Sequence, residues 1–182
     1  MSKLIYIAST SLDGFIEDDA GGFGWIVSDG VHEFITELVR PIGTYLYGRR
    51  LYETMAYWDT MQIGEYPPEH RDFARVWQKA EKIVFSQTLT GLAIRNARIE
   101  RAFEPETIRK LKRETEHDIN IGGAELAGRA IEADLLDECH LFINPAIVGA
   151  GKPAFRALRR DLELLETRRF SSGVIHAHYR VR

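Results

Sequence analysis

The sequence predicts an α/β domain with a central, mostly parallel sheet flanked by helices and an antiparallel hairpin at its C-terminal edge. Three observations carry that expectation. Short apolar runs rich in β-formers, at residues 4–8, 44–47 and 118–121, alternate with segments whose apolar residues recur at helical spacing. Two of those runs stop on glycine and pass directly into a helix. The final runs, 162–170 and 174–182, flank Ser171-Ser172-Gly173, a hairpin signal. No linker, repeat or low-complexity segment divides the 182 residues, so one domain over 1–182 is expected.

Each element has its own local reason. The first strand is followed by a glycine-rich loop, 9–24, in which Phe15 and Ile16 form a short return to the core. A helix then carries Phe34, Ile35, Leu38 and Val39, with Ser28 or Asp29 as its cap and Pro41 and Gly43 at its end. Strand 44–47 turns at Gly48 into a short helix, 49–55, and residues 56–68 form an irregular excursion. Helix 69–80 leads to strand 83–85, ending on Ser86, and 97–101 is a further strand. Pro105 opens a helix with Glu104 and Glu106 at its positive end and Lys110, Lys112 and Arg113 toward the other. Helix 124–133 presents Leu126, Ala127, Ala130 and Ile131 as one apolar face. Strand 141–143 and loop 144–153 precede the hairpin.

Composition narrows the function. A net charge of −3 argues against nucleic acid as the main partner. The single cysteine, Cys139, lies in an apolar run and reads as a buried, inert thiol. Only five largely apolar residues follow Lys3, which is too few for a secretory leader, and no apolar run approaches the length of a membrane span. A soluble, cytoplasmic protein without a membrane partner is expected.

The two glycine turns are the strongest site signal. Gly48 precedes Arg49 and Arg50, and Gly122-Gly123 precedes Ala124 and Glu125. A turn without side chains at a helix start lets a phosphate approach free backbone N–H groups. Paired guanidinium groups suit a terminal phosphate, so a 2′-phosphorylated dinucleotide, NADPH, is expected across the two turns. Ser86, at a neighbouring strand end, is placed to donate to the same phosphate. Neither turn has the G-x-G-x-x-G spacing, and Gly149-Ala150-Gly151-Lys152 fails as a phosphate loop because Ala146 and Pro153 stand where glycine and Ser or Thr are required.

Three carboxylates, Asp13, Asp29 and Glu33, are candidates for orienting a substrate or supplying a proton, with Trp25 and Phe34 as an apolar wall. The alternatives are that Asp13 fixes a turn, Asp29 caps a helix and Glu33 is solvated. His176 and His178 point to one strand face, which reads as an exposed polar face; with no third ligand in view, no metal site is expected.

Taken together, these blocks resemble the dihydrofolate reductase-like proteins. They include Ala8 to Ile16, Gly48-Arg49-Arg50-Leu51-Tyr52-Glu53 and Ile121-Gly122-Gly123-Ala124-Glu125-Leu126. Leu135-Leu136-Asp137-Glu138 and the run from Pro145 to Gly151 are especially similar to the reductase domain of the bifunctional riboflavin-biosynthesis deaminase-reductase. The resemblance implies an NADPH-dependent reductase, typically a homodimer, acting on a small heterocycle as a 5-amino-6-(5-phosphoribosylamino)uracil reductase does. It implies that Gly48, Arg49, Arg50 and Ser86 face the adenosine phosphate, and that Gly122, Gly123, Ala124 and Glu125 lie beside pyrophosphate and nicotinamide. Ser11 to Gly14 would border the substrate. Where those reductase domains carry a glutamate before the paired glycines, this chain has Ile121. Dihydrofolate reduction proper, and a non-catalytic NADPH-binding module, are the alternative readings.

Overall fold

The computed structural model describes residues 1–156 and 158–182. Its main sheet contains β1 (Leu4–Thr10), β3 (Ile42–Gly48), β4 (Glu81–Phe85), β5 (Ala97–Glu100), β6 (Asp118–Gly122), β7 (Glu138–Ile143), β9 (Leu162–Arg169) and β10 (Ile175–Val181). The strand order is β5-β4-β3-β6-β1-β7-β10-β9. β5 through β7 run parallel, and β10 and β9 add the antiparallel edge. β1 sits in the middle and is buried along most of its length, as its unbroken apolar run requires.

Helices cover both faces. On one face α5 (Ala124–Glu132) and α4 (Pro105–Glu114) lay Leu126, Ala127, Ala130, Ile131 and Ile108 against Leu4, Tyr6 and Ile121. On the other, α1 (His32–Val39), α2 (Arg49–Met55) and α3 (Arg71–Lys79) pack Val39, Tyr52, Phe73 and Trp77 against Ile5, Tyr45, Tyr47 and Val84. Between α2 and α3, the irregular excursion contains three short 3-10 turns, Ala56–Asp59, Ile63–Glu65 and Pro68–His70.

Three local expectations are corrected. No side chain caps α1; Val31 holds the cap position, and the Ser28 carbonyl accepts the N–H groups of Val31 and His32. The 144–153 loop contains a strand, β8 (Gly151–Pro153), which pairs with β2 (Phe15–Asp18) in a second small sheet. At Gly151 a Cβ would run into the backbone of Glu17 and Asp18, so glycine is needed for these strands to meet. The histidine face is not exposed: His176 is 1% exposed, and His140 lies beside it from β7. Cys139 is buried, and burial pushes its thiol up to about 11, as an inert thiol requires. Among the described residues no helix is long and apolar enough to cross a membrane.

Candidate active site

β3, β6 and β1 are neighbours, so their carboxyl ends open into one cleft of about 390 Å³. Tyr47 is in register with Gly122, which brings the two glycine turns side by side. The cleft lies at the position where open α/β sheets bind ligands, and its size suits a small molecule.

The three glycines differ. Gly48 has an extended backbone, φ −76°, and a Cβ there would meet only Leu126 Cδ1, at 4.0 Å. Gly123 has φ +88°, a left-handed conformation that L side chains rarely adopt, and faces open space. Gly122 is a packing glycine: a Cβ there would strike Leu51 and press on the Tyr47 ring. Gly122 and Gly123 line the cleft, while Ala124 is buried and Glu125 is exposed, 3.9 Å from Arg156.

Arg49 and Arg50 diverge. Arg49 donates to Glu53 at 2.7 Å and to Thr88 at 3.1 Å, which carries it to the corner where β4 ends. There the Ser86 hydroxyl oxygen accepts the N–H groups of Thr88 and Leu89, and Arg101 donates to the Ser86 carbonyl. Arg50 lines the cleft instead, its side chain 84% exposed and 4.0 Å from Glu17.

The floor carries two uncommitted polar atoms. Tyr45 is 2% exposed, and its hydroxyl has no hydrogen-bond partner among the described residues. Burial pushes that hydroxyl well above the usual phenol range, so it stays protonated and can donate. Beside it, Asn120 gives its amide N–H to the Ile5 carbonyl at 3.1 Å and turns its own oxygen toward no protein donor among the described residues. Ile35, Val39, Phe73 and Phe142 supply apolar walls. Glu17 and Lys152, cross-strand partners in the small sheet, form the rim with Arg50.

None of the three expected carboxylates lines this cleft. Asp13 accepts N–H groups from Val148 at 3.2 Å and Gly149 at 2.8 Å. The Ser11 hydroxyl and those amides hold its carboxyl below the usual range, so it fastens two loops together. Asp29 and Glu33 border a separate groove beside His32 and His70. Phe34 packs on Phe142, Phe170 and His176 rather than walling a carboxylate. The carboxylate that does reach the cleft, Glu17, was missed. Nothing in Phe15-Ile16-Glu17-Asp18 alone singles it out, because a distant strand, β8, places it.

The sheet order and the rimmed cleft at the central strand ends are those of an open α/β protein covered by helices on both faces, the class in which ligands sit beyond the carboxyl ends of the strands. Comparison with known proteins narrows this further. Residues 2–176 match the RibD C-terminal domain, and the chain belongs to that family. It is 32% identical over 180 residues to the uncharacterized protein YyaP of Bacillus subtilis, covering 97% of this chain and 94% of that one. A putative riboflavin biosynthesis protein from Shewanella sp. PV-4 superposes with a TM-score of 0.78 at 18% identity, covering 99% of both chains. The deaminase/5-amino-6-(5-phosphoribosylamino)uracil reductase of Thermotoga maritima gives 0.68 at 16% identity, with 100% of this chain matched to 57% of that one. The fold is thus dihydrofolate reductase-like.

Proposed function

We propose that the protein is an NADPH-dependent reductase that transfers a hydride to a small, flat nitrogen heterocycle of the aminopyrimidine type. The observation that carries this reading is the cleft itself: the Gly122-Gly123 turn, in register with the end of β3, beside a floor of Asn120 and of Tyr45, whose buried hydroxyl has no partner among the described residues. Family membership and the printed activity of the Thermotoga maritima relative support the same class.

The residues fit the cofactor. Gly48 and Gly123 leave room beside free helix-start N–H groups for a pyrophosphate. Arg49, with Thr88 and Ser86, forms the corner for a 2′-phosphate. The bound nicotinamide would supply the hydride. The chain's own work is to bind, orient and exclude water. Tyr45 donates to a ring oxygen or nitrogen of the heterocycle, Asn120 accepts from a ring N–H or amino group, and the apolar walls hold the plane. Arg50 and Lys152 meet the anionic part of the substrate, and Glu17 is the nearest carboxylate for proton supply. Exposed Leu162, Leu164 and Ile175 on the edge hairpin form the face we assign to homodimer contact.

Titration with NADPH and NADH tests the reading. Wild type should bind NADPH at least tenfold more tightly, and Arg49→Ala should erase that preference. Equal affinity of wild type for the two dinucleotides would sink the cofactor assignment. Turnover is checked by NADPH oxidation across a panel of aminopyrimidines and pterins. A second reading, binding without turnover, draws on the absence of Asp13, Asp29 and Glu33 from the cleft, and tight binding with no oxidation would favour it.

A further inference from the structure

We infer that Glu138, His140 and His178, at the start of β7 and on β10 and outside the residues that line the cleft, form a binding site for one divalent transition-metal ion, best matched by zinc. One ligating atom from each residue lies within 4.8 Å of the others. Strand register builds the cluster. His140 on β7 stands directly opposite His178 on β10, and Glu138 precedes His140 by two residues on the same face. The imidazoles are stacked 3.9 Å apart, and His178 Nε2 is 3.1 Å from Glu138 Oε2. Two imidazoles and a carboxylate suit zinc, which prefers nitrogen and oxygen ligands at roughly 2.0–2.2 Å and leaves a fourth position for water.

The surroundings favour the ion further. His140 Nδ1 is 2.9 Å from His176 Nε2. With Nδ1–H donating to His176, His140 Nε2 is left as the ligating nitrogen, and the bond fixes the ring as outer partners of metal-bound histidines do. Glu138 and His140 are buried, while the His178 side chain is 18% exposed and opens the site to solvent. Glu166 lies opposite His178 on the neighbouring strand and adds negative charge. The imidazoles lie face to face, so a shared ion requires a ring to rotate until its in-plane lone pair faces the cluster. One competitor is present: Lys3 Nζ sits 2.9 Å from Glu138 Oε1, on a side chain that is 53% exposed and free to withdraw.

A bound ion would pin the edge hairpin to the parallel part of the sheet. The experiment is titration of EDTA-dialysed, full-length protein with zinc chloride against a chromophoric chelator, followed by thermal unfolding with and without zinc. The expected result is one zinc per chain and an unfolding midpoint raised by zinc. Affinity should fall at least tenfold in His178→Ala and in Glu138→Gln, and should rise severalfold in Lys3→Met, which removes the competing ammonium. His117→Ala, an exposed histidine elsewhere, should bind as wild type does. Absence of stoichiometric uptake, uptake that survives His178→Ala, or uptake lost in His117→Ala would overturn the assignment, the last two marking adventitious binding.

Discussion

Lys82 and Tyr45 are cross-strand neighbours on one face of the sheet, and both are buried, yet their surroundings differ. Lys82 lies under α3, with its ammonium 4.0 Å from the Trp77 ring centre and donating to the Gln78 carbonyl at 3.2 Å. Tyr45, one strand closer to the middle, is packed in the same core cluster and lines the cleft, but its hydroxyl has no partner among the described residues. The protein finishes the polar group that a helix covers and leaves unfinished the one that floors the cleft. A buried polar atom without a partner costs stability, so the second arrangement makes sense where a ligand completes it.

The largest test closes on the finished half. Burial pushes the Lys82 ammonium down to about 8 from 10.5. Between those values the unfolded chain holds a proton that the folded chain has released, so stability rises with pH across that window and is lost as pH falls through about 8. At neutral pH, Lys82→Met should therefore be more stable than wild type by about 2 kcal/mol, and the gap should shrink from pH 8 to 10.5. Urea unfolding across that range measures it, and a pH-independent gap would break the contrast.

Next in size is Gly122→Ala, which fills the open half from above. Its Cβ must displace Leu51, which lines the cleft, at a cost of about 1–3 kcal/mol and with loss of NADPH binding. Gly123→Ala meets no neighbour and should cost about 1–2 kcal/mol through its positive φ alone. Denaturation and NADPH titration of both variants separate packing from backbone conformation; identical behaviour would erase the distinction. The smallest stability effect belongs to Tyr45→Phe. Removing an unpaired buried hydroxyl should stabilise the chain by about 1 kcal/mol, while KM for the heterocycle rises about tenfold and NADPH affinity stays constant. An unchanged KM would return Tyr45 to the role of core aromatic.

What could be read in advance followed from local chemistry. Glycine before a helix start marks both turns, two long runs around Ser171-Ser172-Gly173 mark the hairpin, and Leu126, Ala127, Ala130 and Ile131 of the α5 face are all buried, together with Ala124 and Gly128. What escaped depends on register between distant strands. Tyr45 looks like any strand aromatic until Asn120 is set beside it. Glu17 and Lys152 meet only because a three-residue strand finds the first loop. His140 joins His178 across two strands that no sequence spacing aligns. Asp13 attracted attention as a carboxylate beside a glycine; its oxygens are committed to amides of a loop some 135 residues away.

That fastening has a bearing on biogenesis. The central strand β1 finds its hydrogen-bonded neighbours only in β6 and β7, and the cleft rim is complete only when Gly151–Pro153 reaches Phe15–Asp18. A nascent chain emerging from the ribosome therefore has no finished rim until residues 151–153 have been made, and any chain cut short before Gly151 is born with the cleft wall incomplete.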